Sequence, residues 1–177
     1  MMTETIDSYV NLDIPGASPD APAFYLLHGT GGDEHQFTDL AAELKPGARR
    51  IGVRGDVSEG GALRYFKRVG EGRYDMADLK RATRKLARFV GASRADATSV
   101  LGLGYSNGAN ILASVLFEAP EQFDVAVLMH PLIPFTPDHH HGRPSRPDRA
   151  GAFGGAARDL LQGAGRRCVA VLARRWA

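Results

Sequence analysis

The sequence predicts an α/β fold: a mostly parallel sheet with helices on both of its faces. Three observations predict it. Short continuous apolar runs such as Ala23-Phe24-Tyr25-Leu26-Leu27 suit strands buried on both faces. Amphipathic stretches alternate with those runs, the chain order that builds parallel sheets. Glycine and proline clusters separate the two kinds of segment.

Composition agrees with that class. The 177 residues fit one domain, and 44% apolar with 24% charged residues excludes a wholly disordered or collagen-like chain. No apolar run reaches the ~18 residues that a bilayer span requires. The opening MMTETIDSYV carries Glu4 and Asp7 and no basic start, so it does not read as a secretory signal. The single cysteine, Cys168, excludes an internal disulfide, and a cytoplasmic location is expected. Charge divides the chain unevenly. Residues 1–138 hold 14 Lys+Arg against 18 Asp+Glu, whereas residues 139–177 hold 8 Arg, no Lys and 2 Asp. Residues 1–138 are therefore read as the α/β domain, incomplete at its end, and residues 139–177 as an atypical Arg/Ala/Gly-rich tail.

Taken in order, residues 8–12 read as a short strand and Pro15 to Pro22 as a turn. The run at residues 23–27 is a buried strand, followed by a Gly-rich loop in which Asp33 is expected to cap the next helix. That helix has Phe37, Leu40, Ala41 and Leu44 on one face and stops at Pro46-Gly47. Residues 49–54 form the next strand, and residues 58–72 read as a Gly-rich loop. Asp75 caps a helix with Met76, Leu79, Leu86, Phe89 and Val90 along its apolar stripe, ending at Gly91. Residues 98–103 are a strand, residues 107–118 a helix and residues 124–129 a strand. In the tail, residues 156–162 read as a weak helix and residues 168–172 as a short strand.

Gly104-Tyr105-Ser106-Asn107-Gly108 fits the pattern G-x-S-x-G between a buried strand and an amphipathic helix. A serine at the tip of so tight a turn stands clear of the sheet over a helix N-terminus, and small residues on either side let strand and helix approach. His28-Gly29-Thr30-Gly31-Gly32-Asp33 follows the first buried strand. Acyl transfer needs two backbone N–H groups for the developing oxyanion, and a Gly-rich loop brings backbone close to substrate. The loop lacks the Lys-Ser/Thr of a phosphate-binding loop.

These segments, together with His130-Pro131-Leu132-Ile133-Pro134-Phe135, Arg64-Tyr65-Phe66 and Asp75, resemble the phospholipase/carboxylesterase branch of the α/β-hydrolases. The resemblance runs from about Pro22 to Asp138. It implies a serine esterase acting on small carboxylic esters or thioesters through an acyl-enzyme at Ser106. It implies an oxyanion hole from the N–H groups of Thr30 and Asn107, with no metal and no organic cofactor. The partner is then a small-molecule ester, with no nucleic acid and no membrane.

A serine nucleophile also needs a histidine base and an acid to orient it, which in this fold follow the serine as Asp and then His. The family's Gly-x-x-Asp and Gly-His segments have no counterpart here, and no histidine follows His141. His130 is a poor candidate for a stand-in base: it lies at a strand end that faces the site, but the family does not use this position as its base. His28 reads as structural, His35 as a surface residue, and His139, His140 and His141 as a solvated loop. Asp138, Asp148 and Asp159 are eligible acids that nothing distinguishes. Two readings of the tail stay open: a genuine variant end, or the product of a shifted reading frame. The alternative function is accordingly a non-catalytic derivative lacking the triad Asp and His. If the tail supplies no strand, residues 124–129 leave an apolar sheet edge through which the chain would dimerise.

Overall fold

The chain runs β1 (Asn11–Ile14), β2 (Ala23–Leu27), α1 (Thr38–Leu44), β3 (Arg49–Val53), β4 (Val57–Glu59), β5 (Ala62–Arg64), β6 (Arg68–Gly70), β7 (Arg73–Tyr74), α2 (Met76–Ser93), β8 (Val100–Tyr105), α3 (Asn107–Glu118), a 3-10 turn (Pro120–Gln122), β9 (Val125–Met129) and β10 (Cys168–Leu172). The structure, a computed structural model, describes residues 8–70, 73–132 and 168–172, the last as backbone. One six-stranded sheet has the order β1-β3-β2-β8-β9-β10. Only β1 is antiparallel to its neighbour; every other pairing is parallel.

Alternation along the strands divides the core between the two faces. Ala23, Tyr25 and Leu27 of β2 join the large cluster under α2 and α3, with Ile51, Leu86, Ile111, Leu112 and Phe123. Phe24 and Leu26 point to the other face, with Ala41, Ala48 and Leu103. The helix α3 is buried along residues 107–116, as a central helix must be when strand and helix pack on it from several sides. Thr83 of α2 and Ser114 of α3 face each other in this contact and share a hydrogen bond of 2.7 Å, so both hydroxyls are satisfied.

Several elements depart from the expectation. The first strand lies at Asn11–Ile14 and not at residues 8–12, because Tyr9 turns into the core edge-on to Phe89 at 5.3 Å. Asp33 does not cap α1. Its carboxylate accepts from the His35 N–H, residues 33–37 form consecutive turns, and the helix starts at Thr38. Of the predicted face of α1 only Ala41 is buried, and Leu44 is 56% exposed. Asp75 does cap α2, accepting from the Asp78 N–H at 3.0 Å, but the helix continues past Gly91 to Ser93 and Met76 is half exposed.

The segment read as one loop, residues 58–72, holds parts of two small hairpins, β4-β5 and β6-β7. Gly60 and Gly61 turn the first, both at positive φ (55° and 87°), the backbone that a tight two-residue hairpin turn demands.

The tail residues Cys168–Leu172 pair in parallel with Val125–Met129 over five positions. The open apolar edge expected at residues 124–129 is therefore covered, and among the described residues β10 is the last strand on that side. The helix expected at residues 156–162 lies outside the described residues, as do Asp138, His139, His140, His141, Asp148 and Asp159. No helix among the described residues is long and apolar enough to cross a membrane.

Candidate active site

Ser106 stands at the junction of β8 and α3 with φ 51° and ψ −110°. A side chain at this positive φ is strained by about 1–3 kcal/mol, so the surroundings must hold it there. They do so through backbone. The Ser106 N–H donates to the Met129 carbonyl at 2.9 Å, and the Ser106 carbonyl accepts from the Asn110 N–H at 2.9 Å. The flanking glycines permit the approach. A Cβ on Gly104 would lie 2.5 Å from the Gly108 carbonyl oxygen, and one on Gly108 would lie 2.3 Å from the Leu27 oxygen. Both contacts are with backbone and cannot be relieved by a rotamer change. The pattern G-x-S-x-G thus has a steric cause here: β8, α3 and the end of β2 meet closer than any larger residue allows.

The loop after β2 runs beside this turn. Gly31 N–H donates to the Leu63 carbonyl at 3.0 Å, and Gly29 N–H donates to Gln36 Oε1 at 2.9 Å. The N–H groups of Thr30 and Asn107 have no hydrogen-bond partner among the described residues. That of Asn107 opens α3, where unpaired N–H groups and the helix dipole favour negative charge. The Asn107 side chain is buried. Its Oδ1 accepts from the Tyr65 N–H at 2.9 Å, while Nδ2 has no partner among the described residues.

His28 is buried and fully engaged. Its Nε2 accepts from the Gly55 N–H at 2.9 Å, so the ring proton sits on Nδ1, which lies 2.7 Å from the Gly29 carbonyl. Burial pushes its pKa below the usual histidine value. The Tyr65 hydroxyl donates to the Val53 carbonyl at 2.6 Å and accepts from the His28 N–H at 3.0 Å. His28 therefore braces the loop and does not serve Ser106, as its sequence position suggests.

Arg64 is 5% exposed. Its Nη1 donates to Thr30 Oγ1 at 3.0 Å, its Nε reaches the Phe66 carbonyl at 3.3 Å, and the Glu59 carboxylate lies 3.7 Å away. Burial lowers its pKa below the usual guanidinium value, and the nearby Glu59 carboxylate opposes that effect only in part. The sequence pointed to Arg64-Tyr65-Phe66 only through the family resemblance. Neither the Tyr65 hydroxyl nor the Arg64–Thr30 bond has a local signal, because the partners lie far away along the chain.

No histidine or carboxylate among the described residues hydrogen-bonds the Ser106 hydroxyl. His130 has a positive φ of 52°, and its ring meets the Tyr105 ring edge-on at 5.6 Å. His35 is exposed, beside Asp33 and Glu34. Ligand atoms of these three lie within 4.8 Å of one another, but both Glu34 oxygens accept from Arg54, at 2.5 and 2.6 Å. Asn110 fixes the segment after β9: its Oδ1 accepts from the Leu132 N–H at 2.6 Å and its Nδ2 donates to the Tyr74 hydroxyl at 3.0 Å.

No protein-family model matches the chain. Over 113 residues, 62% of the chain, it is 44% identical to the Bacillus subtilis (strain 168) protein named "Putative hydrolase MhqD", and it spans 56% of that relative's length. The solved structure of Atu2452 from Agrobacterium tumefaciens str. C58, a protein of unknown function, is 46% identical, with a TM-score of 0.79 over 96% of this chain and 88% of that one. The carboxylesterase of Bacillus cereus is 29% identical, with a TM-score of 0.70 over 93% of this chain and 82% of that one. With the strand-serine-helix turn and the parallel sheet in place, these similarities show that the chain has the fold of the α/β-hydrolases and that its structural neighbours include carboxylesterases.

Proposed function

We propose that the chain is a serine hydrolase of the carboxylesterase type, acting on small carboxylic esters or thioesters through an acyl-enzyme at Ser106. The observation that carries this reading is the backbone of Ser106, held at φ 51° between two glycines that contact neighbouring backbone. A strained serine held over a helix N-terminus is costly, and it is the arrangement that exposes a hydroxyl for attack. In the reaction the Ser106 oxygen attacks the ester carbonyl carbon and gives up its proton to a base. The carbonyl oxygen becomes an oxyanion and accepts from the N–H groups of Thr30 and Asn107. The C–O or C–S bond to the leaving group then breaks, and water later cleaves the acyl-serine bond.

A second reading is favoured by one observation: the described residues bring no base to Ser106. In that reading the chain keeps the serine turn, or elbow, and the loop after β2 but turns over substrate only at the level that oxyanion stabilisation and binding support, about 10³-fold over water. Hydrolysis of p-nitrophenyl acetate by the purified chain and by Ser106→Ala separates the two. A triad enzyme turns over at about 1–10³ s⁻¹ and loses that activity in the variant. Equal, near-background rates in both proteins would refute the hydrolase.

A further inference from the structure

The two N–H groups assigned to the oxyanion belong to different segments, Thr30 in the loop after β2 and Asn107 at the start of α3. Catalysis by such a pair depends on their separation, since a donor displaced by about 1 Å loses most of its effect. A third segment connects them. Three consecutive residues, Leu63, Arg64 and Tyr65, each make one hydrogen bond toward this pair. The Leu63 carbonyl accepts from the Gly31 N–H at 3.0 Å, and Arg64 Nη1 donates to Thr30 Oγ1 at 3.0 Å. The Tyr65 N–H donates to Asn107 Oδ1 at 2.9 Å. Leu63 and Arg64 thus grip the loop, and Tyr65 grips the helix start.

The segment is itself rigid. Tyr65 is fully buried, and its hydroxyl is tied to Val53 and His28. The Arg64 guanidinium is held from behind by the Phe66 carbonyl and by Glu59, which Arg68 also holds at 2.8 Å. A buried guanidinium is costly unless its donors are used. Here one of them is spent on the side chain of the very residue whose N–H faces the oxyanion.

From this we infer that Arg64 is a positioning residue: through Thr30 Oγ1 it sets the Thr30 N–H at its working distance from the Asn107 N–H, with Leu63–Tyr65 as the spacer. The inference rests on the reading of Ser106 as nucleophile and of these N–H groups as the oxyanion hole.

The test uses Thr30→Val, which keeps the shape and the N–H of Thr30 and removes the acceptor, and Arg64→Met, alone and combined. Each single variant is expected to lower kcat on p-nitrophenyl acetate by about ten- to a hundredfold, with KM nearly unchanged. The double variant should be no worse than Arg64→Met alone, because that change already removes the bond that Thr30→Val removes. The rate advantage of the oxoester over its thionoester, which the hole stabilises poorly, should shrink by the same factor. Unchanged kcat in Thr30→Val, multiplying effects in the double variant, or a constant oxoester-to-thionoester ratio would overturn the inference. A second measurement does not need turnover. Hydrogen exchange at the Gly31 amide should quicken by about tenfold or more in both single variants while α2 amides stay protected; unchanged exchange would overturn it. Failure of the parent reading looks different, since Ser106→Ala would then hydrolyse the ester as fast as the parent chain.

Discussion

Replacing Gly108 by alanine adds one methyl group where three backbone segments meet. The new Cβ would lie 2.3 Å from the Leu27 carbonyl oxygen and 2.6 Å from that of His28, against 3.4 Å for the onset of ordinary contact. The start of α3 must therefore withdraw from β2 by about 1 Å, taking Ser106 and Asn107 with it. Overpacking of this kind costs up to about 3 kcal/mol, and the obstacle here is strand backbone that cannot step aside. Alanine in a helix recovers about 1 kcal/mol over glycine. The net loss is then about 2 kcal/mol, or a Tm lower by about 4–8 °C for a chain of this size. Gly91→Ala is the matched control. It sits on the exposed face of α2, and its Cβ would find nothing nearer than Gln122 Oε1 at 3.5 Å. It should gain about 0.5–1 kcal/mol from helix propensity alone. Urea unfolding of the three proteins reads both effects. Equal or greater stability of Gly108→Ala would refute the close-packing account of the elbow.

Other expectations follow from the same contacts. Ser106→Gly should be more stable than Ser106→Ala by about 1 kcal/mol or more, since only glycine relieves the positive φ; equal stabilities would mean the elbow stores no strain. His28 is buried neutral with its pKa lowered, so the unfolded chain binds more protons than the folded one once the pH falls below the ordinary histidine value of about 6.5. Its contribution to stability is complete above that pH and is lost as the pH falls below it, and urea midpoints between pH 7.5 and 5.5 should drop less in His28→Gln than in the parent. Ending the chain at residue 167 removes β10 and bares the β9 edge, so light scattering after size-exclusion chromatography should show a larger share of dimers or bigger species than the full chain gives. An unchanged profile would mean that β10 does not protect that edge.

The sheet was largely legible because its central strands are continuous apolar runs, and β2 and β8 are buried on both faces. The serine turn was legible for a different reason. Gly104 and Gly108 are the residues that the close approach itself requires, so sterics wrote them into the local sequence. The hairpins around residues 57–74 are not legible in the sequence, although Gly60-Gly61 is a hairpin turn signal. Their strands, of two or three residues, are too short for alternation to register. Asp33 has the composition of a helix cap, but the turns at residues 33–37 take its carboxylate first. The grip of Arg64 on Thr30 and of Tyr65 on Asn107 left no local trace, because these contacts span 34 and 42 residues. Such bonds become visible only once the sheet has brought the segments together. Leu40 and Leu44 show the opposite failure: the helical period is correct, yet the described residues leave them exposed.

Ser106 as a nucleophile is the claim on which the functional account stands, and covalent capture tests it without reference to turnover. The full chain is treated with p-nitrophenyl acetate, quenched in acid, digested and mapped by mass spectrometry, with Ser106→Ala in parallel. The account predicts one acetyl group on the peptide that contains Ser106, and none on the corresponding peptide of the variant. No acetyl group on that peptide, or acetylation of the two proteins at the same sites and to the same extent, would contradict it.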